Sequence, residues 1–85
     1  MSLNNLASSQ AENGQRHKAL KTAQEATNLY RTLAEHNPAA HTPKLVMSLN
    51  NLAIHLDSNG QQREALMTAQ EATNLYRTLA EHNPA

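Results

Sequence analysis

Two stretches of this chain are nearly the same: residues 1–39 align with residues 47–85 at an offset of 46, and 30 of the 39 positions are identical. The segment TAQEATNLYRTLAEHNPA, from Thr22 to Ala39, recurs unchanged from Thr68 to Ala85, whereas most of the differences fall in Ser8 to Glu12 against Ile54 to Ser58. A duplication of this kind reduces the fold question to one unit. Repeats with periods of roughly 20 to 50 residues belong to stacked arrays, in which no unit buries its apolar face alone.

Within the second unit, Thr42-Pro43 has the chemistry of a helix start, because Thr accepts a bond from free amides and Pro has no N–H to lose at the first helical position. This predicts helix A over 43–58, with Leu45, Val46, Leu49, Leu52, Ala53 and Leu56 on one face at three- and four-residue spacing. Asn59-Gly60 ends it, since Gly takes up the left-handed conformation that closes a helix. Helix B follows over 61–82, carrying Ala65, Leu66, Ala69, Ala72, Tyr76, Leu79 and Ala80, and Asn83-Pro84 stops it. The same reading places helix A of the first unit over 2–12 and helix B over 15–36, with Asn37 to Thr42 as a linker; residues 40–46 then hold the linker and the start of the next helix A. Period-two alternation never persists, so the expected fold is all-α. Small residues at Ala53, Ala65, Ala69 and Ala72 let helix axes approach as antiparallel hairpins require.

Composition narrows the function. The 85 residues are 39% apolar, mostly Leu and Ala, with two Tyr and no Phe or Trp. A chain this size buries only about 60 to 65% of its unfolded surface, so contacts with neighbouring copies matter. Seven basic and seven acidic residues cancel, leaving no field to hold nucleic acid or an anionic membrane. No apolar run spans a bilayer and no export signal is recognisable. The absence of cysteine excludes disulfides and thiolate sites and fits a cytoplasmic protein.

The order LNNLA, a variable stretch, NG, EAL and EA from Leu49 to Ala72 resembles a tetratricopeptide repeat, a helix-turn-helix unit that serves as a protein-binding scaffold. The pattern's small residues fall at Ala7, Ala19 and Ala26 and at Ala53, Ala65 and Ala72, and its turn glycines at Gly14 and Gly60. More narrowly, it is similar to the long repeats of kinesin light chains. The resemblance implies an α-solenoid of two tandem repeats with four helices, 1–39 and 47–85. It departs from the usual pattern at the aromatic positions, which hold Leu49, Leu56 and Ala69, and in its 46-residue period. In the first unit, Ser8 and Gln10 replace Ile54 and Leu56, as suits a terminal repeat.

The resemblance further implies an inner groove lined by the A helices, with Asn4, Asn5, Asn50 and Asn51 on or near it. Carboxamides offer both donor and acceptor to the backbone of an extended peptide. Ile54, Asp57 and Met47 neighbour the second pair. The expected partner is a protein or peptide; the alternative is a self-associating structural repeat, natural or engineered, with no separate ligand. In an uninterrupted array Leu66, Tyr76 and Leu79 lie under a following helix A, so these residues are candidates for homo-oligomer contacts, by end-to-end docking, tail-to-tail pairing or hairpin exchange.

Metal, cofactor and catalysis find no support. His17, His36, His41, His55 and His82 contain no pair four apart, and no phosphate loop or nucleophile motif occurs. His36 and His82 suit helix C-termini. Tyr30 and Tyr76 are expected to pack, and Arg31 with Glu35 and Arg77 with Glu81 to form solvated pairs on helix B.

Overall fold

Glycines close two of the three turns in the same way. Gly14 and Gly60 adopt φ of 81° and 80°, the left-handed region that L side chains avoid. At the second turn Gly60 N donates to Asp57 O at 3.0 Å and Gln61 N to Leu56 O at 2.9 Å; at the first, Gly14 N donates to Ala11 O at 3.1 Å and Gln15 N to Gln10 O at 2.8 Å. Paired bonds of this span satisfy the last carbonyls of a helix and reverse the chain. The computed structural model describes residues 3–12 and 14–82. Four α-helices result: α1 Leu3–Glu12, α2 Arg16–His36, α3 Pro38–Ser58 and α4 Gln62–His82. No strand occurs among the described residues. The expected start at Ser2 and stop at Asn83-Pro84 lie outside them.

The third turn corrects the sequence reading. There is no linker from Asn37 to Thr42, and the second helix A begins at Pro38 rather than Pro43. Asn37 alone separates α2 from α3. Its N–H donates to Leu33 O at 2.9 Å, closing α2, while its side-chain oxygen accepts from Ala40 N at 3.4 Å, opening α3. Pro38 then occupies the first helical turn, where its missing N–H costs nothing. Thr42 is no cap, and Pro43 lies inside α3, forgoing the one bond its N–H would make to Ala39 O.

The helices pack in sequence order. α1 lies on α2, α2 on α3 and α3 on α4, while α1 meets α3 along a narrow seam. The body measures 40 × 27 × 21 Å. One core cluster joins Ala7, Ala19, Leu20, Ala23, Leu52, Leu56 and Ala65; a second joins Leu45, Val46, Leu49 and Ala72, flanked by Tyr30, Ala34, Leu75 and Leu79. Full burial of a Leu such as Leu49, whose exposure is 0%, contributes about 2 kcal/mol. Alanines at Ala19, Ala23, Ala26 and Ala72 are buried, which is what brings the axes close. Two hydroxyls are sealed in the α2–α3 interface: Thr27 Oγ1 lies 3.1 Å from Ser48 Oγ and donates to Ala23 O at 2.9 Å.

The second helix B departs from its expected stripe. Ala65 and Ala72 are buried, but Leu66, Tyr76 and Ala80 are exposed, and Leu75 faces the core in their stead. Tyr30 packs and Tyr76 is exposed, because α3 covers α2 and none of the described helices covers the matching side of α4. Arg31 also pairs differently from expectation. Its Nη2 donates to both carboxylate oxygens of Glu71, at 2.8 and 3.1 Å, rather than to Glu35, so the pair bridges α2 and α4. Among the described residues, Arg77 and Glu81 form no ion pair. Gln10, the polar residue that replaces Leu56 of the second unit, accepts from Thr22 Oγ1 at 2.8 Å and so ties α1 to α2. No helix among the described residues is long and apolar enough to cross a membrane.

Candidate protein-binding face

The helical period that sends Leu45, Leu49, Leu52 and Leu56 into the core sends Met47, Asn50, Ile54 and Asp57 to the opposite side of α3. All four are exposed there, Met47 at 66% and Ile54 at 63%. Asn51 sits half-buried on the same helix. On α1, Asn5 and Ser8 are exposed, while Asn4 is half-buried with its Oδ1 enclosed and unpartnered. The two helices touch along a narrow seam, and each carries carboxamides.

The tandem positions are therefore not equivalent in exposure. Asn50 is open and Asn4 is not; Asn5 is open and Asn51 is less so. Equivalent positions share a helical phase, so the difference comes from their surroundings. The face of α3 holds two large apolar side chains, Met47 and Ile54, beside Asn50 and the carboxylate of Asp57.

His55 lies on α3 between the exposed Ile54 and the buried Leu56. It is 7% exposed, and burial pushes the pKa of its imidazole below the ordinary value of 6.5 because the charged form loses hydration. Its carbonyl accepts from Asn59 Nδ2 at 2.7 Å, and the same amide nitrogen donates to Arg16 O at 3.0 Å, joining the α3 terminus to the start of α2. Among the described residues no three His, Cys, Asp or Glu side chains gather as metal ligands would. A separate apolar cleft of about 590 Å³ opens between Pro38, Thr42 and Pro43 of α3 and Leu75 and Leu79 of α4.

The residues expected at the free end fall into two groups. Leu66 and Tyr76 are 61% and 64% exposed, whereas Leu79 is half-buried and packs against the chain's own second core cluster. Leu79 thus lies toward α3, where it also lines the cleft beside Pro38 and Pro43. Sequence reasoning missed the Arg31 to Glu71 bridge and the Thr27 to Ser48 pair; the periodicity of each helix was visible, but the match between helices was not. No family model matches the chain, and neither the curated proteins nor the solved structures provide a match.

Proposed function

We propose that this chain is a protein-interaction module: two tetratricopeptide-type hairpins stacked as a short α-solenoid, holding an extended peptide or a partner helix against the face formed by α1 and α3. The observation that carries the reading is the stripe of Met47, Asn50, Ile54 and Asp57, wholly turned away from the core. Side chains of this size left exposed at helical spacing, between carboxamides, are what a partner would cover. Asn5, Asn50 and Asn51 would bond the partner's backbone, with Asn4 at the seam positioning α1. Ile54 and Met47 would supply the apolar contact, and Asp57 would favour a basic residue near one end.

The test is selection of binders from a random peptide display library on the intact chain, followed by measurement of each selected peptide by titration calorimetry. Asn50→Ala with Asn51→Ala, and separately Ile54→Glu, should weaken binding by about tenfold or more while the far-ultraviolet circular dichroism stays unchanged. Peptides that bind these variants as tightly as the parent, or a selection that yields no peptide, would defeat the proposal.

A further inference from the structure

The structure contains its own template for a second interface. α2 and α4 share the segment repeated at Thr22 and Thr68, and on α2 that segment receives helix α3. Leu20, Ala23 and Thr27 are sealed by it, at 4%, 0% and 0% exposure, and Tyr30 and Ala34 pack on its Leu45, Val46 and Leu49. The corresponding residues of α4 are Leu66, Ala69, Thr73, Tyr76 and Ala80, on the same helical face, and most of them are open to solvent. A shallow groove already runs along Leu66, Ala69, Thr73 and Arg77.

The charges repeat as well. Arg31 reaches forward by one unit to Glu71. Arg77 is the counterpart of Arg31 and Glu25 the counterpart of Glu71; both are exposed, and among the described residues neither has an ion-pair partner. The α4 face thus carries the donor half of a pair, and the α1–α2 hairpin carries the acceptor half.

From this we infer that the α4 face docks the α1–α2 hairpin of a second copy of the chain, head to tail. The second copy's α1 takes the place that α3 takes on α2. Its Leu6, 36% exposed where the matching Leu52 is 7%, covers Leu66 and Ala69, and its half-buried Leu3 lies against Tyr76. Arg77 then pairs with Glu25 of that copy. The contact is heterologous, so it leaves one free end of each kind and continues to further copies. It uses none of the side chains assigned to the peptide face.

Sedimentation equilibrium over a concentration series tests this on the intact chain. The expected result is a weight-average mass that rises above the 9.3 kDa of one chain and does not level off at two. Leu66→Glu, at an exposed position, should hold the mass at one chain with helicity unchanged. Arg77→Glu and Glu25→Arg should each weaken association roughly fivefold, and combining the two in one chain should restore it. A chain that stays monomeric at millimolar concentration would overturn the inference. So would a fixed dimer weakened by Leu66→Glu but indifferent to Glu25→Arg, because that pattern means α4 meets α4.

Discussion

Helices α2 and α4 carry the same residues over most of their length yet live in different surroundings. α2 packs along both α1 and α3, whereas α4 packs along α3 and reaches α2 only through side chains such as the Arg31–Glu71 pair. Leu20 is 4% exposed and its duplicate Leu66 is 61%. Thr27 bonds across an interface, while Thr73 bonds only the carbonyl of Ala69 in its own helix, at 3.0 Å. The two helices differ only at Arg16, His17, Lys18 and Lys21 against Gln62, Arg63, Glu64 and Met67, so the contrast between the matching residues comes from the second neighbour. The comparison isolates what stacking adds to a hairpin.

The largest expected effect breaks this comparison at its apolar centre. Leu20→Ala should destabilise the chain by about 2 to 4 kcal/mol through lost burial and a residual cavity. Leu66→Ala, the same substitution on the duplicate, should stay within about 0.5 kcal/mol at low concentration. Urea unfolding followed by circular dichroism distinguishes the two.

Next in size is the buried hydroxyl pair. Thr27→Val strands Ser48 in the α2–α3 interface and should lower stability by about 1 to 3 kcal/mol, whereas Thr73→Val should be close to neutral in the same assay. The turns provide the control, since they match in both units. Gly14→Ala and Gly60→Ala meet no neighbouring atoms and force an L side chain into positive φ, so each should cost about 1 to 2 kcal/mol. Unequal thermal midpoints for these two variants would show that the hairpins are not interchangeable.

Charge follows. Arg31→Ala should cost about 0.5 kcal/mol, its pair with Glu71 being well formed but partly solvated, and the effect should fade in high salt. Arg77→Ala should cost nothing measurable in the monomer. The smallest effect is a pH dependence confined to the second unit, where His55 stands in place of Ser9. Because the folded pKa of His55 is lowered, the unfolded chain binds its proton more readily, so stability falls as pH drops through 6.5 toward the folded value and is unaffected above that range. His55→Gln should remove this component when midpoints are compared at pH 7.5 and 5.5.

Much of the fold was legible because it is local. The leucines of α3 recur at helical spacing, and each Asn-Gly stands where a helix has to end. The start of α3 was not legible in the same way. Thr42-Pro43 and Asn37-Pro38 are both plausible first turns, and the second wins because Asn37 closes one helix and opens the next, leaving no unpaired linker backbone. At the candidate face, the phase of Met47, Asn50, Ile54 and Asp57 followed from the buried leucines. The unequal exposure of Asn4 and Asn50 did not, since it depends on which helix lies alongside. The half-burial of Leu79, against the open Leu66 and Tyr76, was not legible for a related reason: its phase turns it toward α3.

The sequence by itself determined that the chain is helical, that it is built twice from one unit, and where the glycine turns fall, since these depend on residues within a few positions of each other. Tertiary structure alone decided which copy of an identical segment is core and which is surface. A side chain's burial is a property of what packs on it, and matching residues of two nearly identical helices differ there as soon as only one of the helices has a neighbour on both sides.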